Sequence, residues 1–287
     1  GPTATGKTDL ALKLCQKFNG EIVSVDSRQA YKEMNIGTGK AILSVASEAS
    51  TTLLYSDVVT GENVGTPTHL NNLVFPSERL NAYEYSIRAW KKIGEIWSKK
   101  KIPFLVGGTG FYLDVVLGRR KLAGVGVDPD LRAELEGLSC EELVGRLENL
   151  DPEKLKAIDI QNKYRLIRAI EVALEGQKSE IRDQKQKLEI KDFESLIIGL
   201  TAPNEYLYKW ADERIGHMMR VGLVDEVRKL VEKYGWSAPA FKSLGYREFK
   251  PYFEGTIQLN ESVQKLKFNT HAYIRRQKTY FKKCFGK

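Results

Sequence analysis

The first eight residues of this chain have the spacing of a phosphate-binding loop. The sequence from Gly1 to Thr8 fits the pattern G-x-x-x-x-G-K-[ST] without a mismatch. Two glycines allow a turn whose N–H groups surround phosphate oxygens, Lys7 supplies a charge, and the hydroxyl of Thr8 suits Mg²⁺. The run from Asp9 to Leu14 continues as a helix whose positive end faces the anion, which argues against a chance match. The pattern predicts a diphosphate or triphosphate site.

The predicted diphosphate ligands come from this loop, and one of them is also the predicted metal ligand. They are Gly1, Thr3, Ala4, Thr5, Gly6, Lys7 and Thr8, with Thr8 as the ligand of Mg²⁺. The motif normally follows a strand directly, so we expect a strand before Gly1 in the natural protein.

Three further features fall where ligands bind in open α/β folds, at the carboxyl ends of strands. Asp26 follows the apolar run 22–25, and its carboxylate could bind Mg²⁺ through water, act as a general base or cap the turn. The Gly-rich segment 107–110 follows the run 103–106 and could approach an anion, although alone it is weak evidence. Arg214 could bind a phosphate or form a surface ion pair.

The elements that position these groups can be predicted from hydrophobic patterns. Helical segments separate the apolar runs, and the clearest is Asn81–Lys99, with Tyr85, Ala89 and Ile93 on one stripe. Alternating strands and helices predict a parallel sheet between helices. The predicted strands are Ile22–Val25, Leu53–Val58, Pro103–Val106 and Leu196–Leu200.

Residues 128–190 interrupt this α/β pattern with a charged helical stretch. Helix starts are indicated by Asp128-Pro129, by Ser139 with Glu142 three residues later, and by Asp151-Pro152. Strand character returns afterwards, so we predict an insertion. The predicted domains are a P-loop α/β core in 1–127, an inserted helical domain in 128–190, and core completion with basic C-terminal helices in 191–287.

The charge distribution indicates a polyanionic partner. The 287 residues carry a net charge of +8, with 45 Lys and Arg against 37 Asp and Glu. The segment from Gln264 to the end carries eight basic residues and no acidic one, which accounts for the whole excess. A solvated tail is the alternative, but residues such as Tyr273, Gln277 and Phe281 recur at helical spacing. We predict a packed helix that offers its cations to phosphates.

Composition also excludes some classes of protein. No apolar run approaches the ~20 residues of a membrane span, and no segment resembles a signal peptide. Three distant cysteines, Cys15, Cys140 and Cys284, do not form a metal-binding motif. The expectation is a globular cytoplasmic protein with reduced thiols.

Seven motifs in order resemble those of the tRNA dimethylallyltransferases, and the resemblance spans essentially the whole chain. The motifs lie in segments 1–8, 25–31, 34–40, 107–112, 162–172, 222–227 and 270–281. The resemblance implies a P-loop NTPase-like parallel sheet core with an inserted helical domain and C-terminal helices, and it implies that the insertion 128–190 is a tRNA-binding domain. It also implies transfer of a dimethylallyl group from its diphosphate to N6 of adenosine 37 in tRNA.

The same resemblance assigns roles to individual residues. Asp26 matches the base that accepts from the adenine amino group, Thr109 the hydroxyl at the reacting centre, and Arg214 a diphosphate-binding arginine. The implied cofactor is Mg²⁺. The implied partners are dimethylallyl diphosphate and the anticodon stem-loop of tRNA, bound by a monomer. The predicted tRNA contacts are Asp26, Ser27, Arg28, Gln29, Arg132, Tyr164, Arg165, Arg168, Lys242, Gly245, Tyr246, Arg247, Arg275 and Arg276.

Several positions depart from the family pattern. Trp210 and His271 stand where arginines are usual, Tyr280 where Trp is usual, and segment 67–71 matches only in part. The chain leaves no room for the zinc finger of eukaryotic relatives, so a bacterial-type enzyme is implied. Three alternatives remain open: a small-molecule kinase, a free-nucleotide isopentenyltransferase, and a non-catalytic RNA-binding protein.

Overall fold

The computed structural model describes residues 1–40, 53–56, 63–120, 122, 128–178 and 194–285. The chain divides into two units, of which the first comprises Gly1–Arg119 with Ser195–Lys287 and the second Arg120–Glu194. The predicted insertion 128–190 falls inside the second unit.

A four-stranded sheet organises the first unit. Its order is β2-β3-β1-β4, with β1 parallel to both β3 and β4 and β2 antiparallel to β3. The strands are β1 (Gly20–Ser24), β2 (Leu53–Ser56), β3 (Asn63–His69) and β4 (Ile102–Val106). All five residues of β1 are buried, so this central strand fixes the edge at which the site forms.

One strand was missed and one strand prediction was wrong. β3 was not predicted because Gly65, at φ 61°, and Pro67 are residue types depleted in strands. Segment 196–200 is not a strand, because no strand in the described residues pairs with it, and Leu196 is 88% exposed. This segment instead passes beside Gly1, where a Cβ would lie 2.2 Å from the carbonyl oxygen of Leu200.

Helices α1 and α2 pack on the sheet. The predicted helix at 81–99 is confirmed as α2, and the side chain of Asn81 caps it by accepting from the N–H of Glu84 at 2.9 Å. Buried Tyr85 of α2 donates to the carbonyl of Ser24 at 2.7 Å and so ties the helix to the end of β1. The helices up to residue 120 are α1 (Lys7–Lys17), α2 (Ala82–Ser98) and α3 (Gly110–Val116).

The second unit is helical, as the sequence predicts. Asp128, Ser139 and Asp151 cap its first three helices, and Ser139 forms the predicted capping box with Glu142. The four helices are α4 (Pro129–Gly137), α5 (Cys140–Leu150), α6 (Pro152–Ala157) and α7 (Lys163–Lys178). Their core consists of leucine and isoleucine side chains that include Leu135, Leu143, Leu147, Leu166 and Ile170.

From residue 204 onward the first unit is helical. A core that includes Met34, Val227 and Phe249 packs segment 30–40 against these helices. The helices are α8 (Asn204–Arg220), α9 (Leu223–Tyr234), α10 (Lys250–Phe253) and α11 (Leu259–Phe285), with short 3-10 turns at Pro239–Lys242 and Arg247–Phe249.

Candidate active site

The phosphate-binding loop adopts the backbone conformation that the motif requires. Ala4 and Gly6 have φ angles of 62° and 69°, and α1 begins at Lys7 directly after the turn. The loop forms one wall of a cavity of about 520 Å³ that residues 3–9 line. The N-terminal end of α1 therefore faces a concave space large enough for a diphosphate.

Lys7 lines this cavity and is half-buried. Its ammonium donates to the carbonyl of Pro2 and lies 3.5 Å from the hydroxyl of Thr5. Burial lowers the pKa of Lys7 from 10.5 to about 8, Asp26 partly offsets this shift, and Arg214 adds to it. An anion in the cavity would favour the charged form of Lys7, because it would supply the compensation that burial removes.

Asp26 lies at the carboxyl end of β1 and lines the same cavity. Its Oδ1 accepts from the N–H of Arg28 at 2.8 Å and, more weakly, from that of Gln29 at 3.4 Å. The carboxylate therefore does cap the following turn, as one interpretation of the sequence proposed. Capping engages Oδ1 in these contacts, so the turn also fixes the carboxylate at the cavity wall.

Thr109 joins the ends of β1 and β4. Its hydroxyl accepts from the N–H of Ser27 at 3.1 Å and lies 3.4 Å from the hydroxyl of Ser27. Gly107 allows this approach, because a Cβ there would lie 1.9 Å from the carbonyl oxygen of Val25. Thr109 itself does not line the cavity in the described residues, whereas Gly107 and Gly108 do.

Arg214 reaches the cavity from α8. Its guanidinium lies 3.5 Å from the hydroxyl of Thr3 and 3.4 Å from the carbonyl of Gly39. At Gly39, with φ 60°, a Cβ would come within 1.6 Å of the guanidinium, so the missing side chain makes this approach possible. Arg214 is therefore placed between the phosphate-binding loop and segment 34–40, facing the predicted anion.

Segment 34–40 is held in place by one carboxylate. Glu226 of α9 accepts from the N–H groups of Asn35, Ile36 and Gly37 at 2.8 to 3.0 Å. It also accepts from the hydroxyl of buried Tyr246 at 2.7 Å. The tRNA contact of Tyr246 stays a prediction; in this structure its ring is buried and its hydroxyl bonds Glu226.

Lys40 is a cavity residue to which the sequence analysis gave no role. It is buried, and its ammonium contacts the carbonyl of Tyr31 and the side-chain oxygens of Asn72 at 2.6 Å and Asn35 at 3.5 Å. Burial lowers the pKa of Lys40 to about 7, while Glu226 and Asp26 act in the opposite direction. In the sequence, the one feature that pointed to Lys40 was its place in the motif segment 34–40.

Gln277 and Tyr273 of α11 also line the cavity. Gln277 bonds the phosphate-binding loop and the Gly-rich loop 107–110, and it is buried. Burial raises the pKa of Tyr273 to about 12. Both residues belong to the last motif of the sequence, and their helical spacing had predicted only a packed face.

Half of the ten predicted tRNA contacts in the first unit are exposed cations. Gln29 lines the cavity, Ser27 is half-buried, and Gly245 is buried with φ 96°. The exposed cations are Arg28, Lys242, Arg247, Arg275 and Arg276.

The second unit carries the remaining predicted contacts on α4 and α7. Tyr164 is 64% exposed and Arg165 is exposed, whereas Arg168 is half-buried and bonds to Glu171 at 2.8 Å. The tRNA contact of Arg132 stays a prediction; in this structure its guanidinium is buried and pairs twice with Glu171, at 2.6 and 2.7 Å. This pair joins α4 to α7.

The departures from the family pattern have distinct surroundings. Trp210 is 44% exposed and lines the cavity beside Arg214. His271 stacks on Tyr208 with ring centroids 4.1 Å apart, and its Nε2 lies 2.9 Å from Asp212. Tyr280 donates to Asp114 of α3.

A family model and curated relatives match most of this chain. Residues 29–284 match the family model described as IPP transferase. A tRNA dimethylallyltransferase of Roseiflexus sp. (strain RS-1) is 41% identical over 99% of this chain and 88% of its own length. One from Bacillus licheniformis is 36% identical over 98% of this chain and 86% of its own length.

Two solved structures are similar to this chain. The tRNA isopentenylpyrophosphate transferase of Bacillus halodurans has a TM-score of 0.66 and 33% identity over 98% of this chain and 84% of that one. A eukaryotic dimethylallyltransferase acting on tRNA has a TM-score of 0.75 and 25% identity over 96% of this chain and 67% of that one. The predicted P-loop NTPase-like fold with a helical insertion is confirmed. Among the described helices, none is long and apolar enough to cross a membrane.

Proposed function

Because this chain belongs to the IPP transferase family, we propose that it transfers a dimethylallyl group from dimethylallyl diphosphate to tRNA. One observation carries the proposal: a single cavity is lined by the phosphate-binding loop, by Arg214 and by the Asp26 carboxylate. A site of this kind places anion ligands and a proton acceptor around one space, which is what this substitution reaction needs.

The cations of the cavity stabilise the leaving diphosphate. When the bond from carbon to oxygen breaks, negative charge accumulates on the departing oxygen atoms. The N–H groups of the loop, Lys7 and Arg214 surround the space where that charge develops. Their contribution is electrostatic and needs little rearrangement of solvent, because these groups already line the cavity before the reaction starts.

Asp26 accepts the proton that the attacking amino group loses. We propose that this group is N6 of adenosine 37, which is weakly nucleophilic until a carboxylate accepts from it. Thr109 fixes Ser27 next to Asp26 and so maintains the turn that carries the carboxylate. This is a smaller role than the direct assistance that the family resemblance implies for Thr109.

Mg²⁺ fits the residues of this site. Thr8 and Asp26 both line the cavity, and a P-loop hydroxyl with phosphate oxygens and water is the usual coordination. The described residues contain no cluster of three or more His, Cys, Asp or Glu side chains that could hold a metal alone. Mg²⁺ would supply neutralisation of the diphosphate charge, and Thr8 would hold it.

The acceptor is proposed to be the anticodon stem-loop of tRNA. Exposed Arg28 beside the cavity, together with Arg275 and Arg276 on α11, provides cations for its phosphates. The target base must leave its stack to reach Asp26, and an extended cationic surface offsets the cost of unstacking. We further propose that the protein acts as a monomer in the cytoplasm, where its acceptor is found.

The test is incubation with radiolabelled dimethylallyl diphosphate, Mg²⁺ and bulk tRNA. Label should enter tRNA with release of pyrophosphate, and digestion should place it on adenosine 37. Labelling of free AMP in preference to tRNA would favour the free-nucleotide isopentenyltransferase. Stoichiometric formation of ADP from ATP with any acceptor would contradict the proposal in favour of a kinase.

A further inference from the structure

One buried amide on the basic helix α11 connects the two sides of the cavity. The Oε1 of Gln277 accepts from the N–H of Thr3 at 2.9 Å, and its Nε2 donates to the carbonyl of Gly108 at 2.9 Å. The side chain is 5% exposed, so water does not substitute readily for either bond. A Cβ at Gly108 would lie 2.6 Å from Nε2, so the loop approaches this amide as closely as glycine allows.

The contact with Thr3 concerns the phosphate-binding loop directly. Thr3 lines the cavity. Its N–H donates to Gln277, and its hydroxyl faces Arg214. The conformation of the loop therefore depends on where α11 lies. A side chain far away in the sequence supplies an anchor that the loop motif itself does not contain.

The same turn of α11 carries the cations proposed to contact tRNA. Arg275 and Arg276 are exposed and precede Gln277 directly, so less than one helical turn separates them from the buried amide. Arg276 lies over the ring of Tyr273, 5.9 Å from its centroid, and Tyr273 lines the cavity. A helix transmits a displacement over so short a distance with little loss, because its backbone bonds hold successive residues rigidly.

We propose that Gln277 is a positioning residue that couples tRNA binding on α11 to anion binding at the phosphate-binding loop. The proposal rests on the function proposed above. When tRNA phosphates hold Arg275 and Arg276, α11 is fixed, and Gln277 then fixes the N–H of Thr3 and the carbonyl of Gly108. The loop is thereby ordered before the diphosphate arrives, so the second ligand binds with a smaller entropic cost.

Coupling of this kind is reciprocal, which makes it measurable in the unaltered protein. If tRNA raises the affinity for a diphosphate, the diphosphate must raise the affinity for tRNA by the same factor. The probe is inorganic pyrophosphate with Mg²⁺. Its affinity is measured with and without saturating tRNA, and the affinity for tRNA with and without saturating pyrophosphate. We expect equal gains of roughly 5-fold or more, the lower end of typical couplings.

Gln277→Met keeps the length of the side chain and removes both hydrogen bonds. We expect the coupling factor to fall to near one while the affinity for tRNA alone stays unchanged. The matched control is Gln264→Met, which makes the same chemical change at an exposed position of α11 and should keep the full factor. If Gln277→Met does not fold, the coupling factor is measured in Gln277→Glu. It keeps an acceptor for Thr3, loses the donor to Gly108 and should also reduce the factor.

The ratio of affinities separates positioning from direct charge effects. The added charge of Gln277→Glu weakens pyrophosphate binding both with and without tRNA, and this effect cancels in the coupling factor. Independent binding of the two ligands to the unaltered protein, or full coupling in the Gln277 variants, overturns the proposal and leaves the proposed function standing. Failure of pyrophosphate to bind at all overturns both.

Discussion

Substitution of Asp26 by Asn and by Ala distinguishes its two roles. The carboxylate caps a turn through one short hydrogen bond, from the N–H of Arg28 at 2.8 Å, and one long contact at 3.4 Å. Asn can keep the cap, because its amide oxygen accepts as Oδ1 does, but it cannot accept a proton from a substrate. Ala loses both functions.

The magnitudes of the two losses differ enough to be measured apart. One short bond at a half-exposed turn contributes about 1 kcal/mol, so Asp26→Ala should lower the free energy of unfolding by about that amount. Asp26→Asn should change it by much less. Loss of a general base lowers kcat by about 10²-fold or more, equivalent to roughly 2.7 kcal/mol in the barrier. Both variants should therefore be slow, although only one is less stable.

The assay is single-turnover transfer of labelled dimethylallyl to tRNA, with urea unfolding of the same preparations. The affinities for tRNA and pyrophosphate are the controls, and neither should weaken greatly in Asp26→Asn. A near-normal transfer rate for Asp26→Asn would show that the carboxylate is only a cap. The identity of the base would then have to be sought among the other cavity residues.

Three further predictions test charges of the molecule. Lys7 loses its proton as pH rises through its pKa of about 8, so the affinity for pyrophosphate should fall from about pH 8 upward. The fall should be less steep in Lys7→Arg, because arginine stays charged. Parallel pH profiles of the two proteins would contradict this prediction. Changing Arg275 and Arg276 to Ala should weaken tRNA binding. The slope of log affinity against log salt concentration should become smaller by about 0.7 to 0.9 per lost phosphate contact. An unchanged slope in a folded variant would assign both arginines to packing. Arg132→Leu should destabilise the helical unit by about 3 kcal/mol in thermal or urea unfolding, because Glu171 loses both bonds from this guanidinium. An unchanged stability would refute the role of Arg132 in joining α4 to α7.

Local signals predicted the helices more accurately than the strands. Asn81, Asp128, Ser139 and Asp151 start helices because a side-chain oxygen can satisfy N–H groups two or three residues later, and that rule acts within a few residues. A strand depends on a neighbour that is distant in sequence. Segment 196–200 has the composition of a strand but lacks a pairing neighbour among the described residues, whereas β3 has poor composition and is paired.

The site shows the same division between local and distant information. Sequence placed Asp26 and the Gly-rich loop at one edge because the carboxyl ends of parallel strands meet there, and the pairing of β1 with β4 confirms that geometry. It gave Glu226 and Gln277 only as members of motifs and did not predict their partners, which lie about 190 and 270 residues away in the chain. Such contacts follow from helix packing and are not specified by any local pattern.

The electrostatics of the cavity explain why these distant contacts are needed. Lys7 and Lys40 have lowered pKa values and line one cavity with Arg214, whereas Asp26 is an acidic group of the same lining. Holding several cations together without an anion is unfavourable, so the loops that carry them would separate unless other groups restrained them. Glu226 supplies that restraint through backbone N–H groups and partly offsets the lowered pKa of Lys40, and Gln277 supplies it through a neutral amide. Binding of the diphosphate to the cations of the cavity then relieves the repulsion.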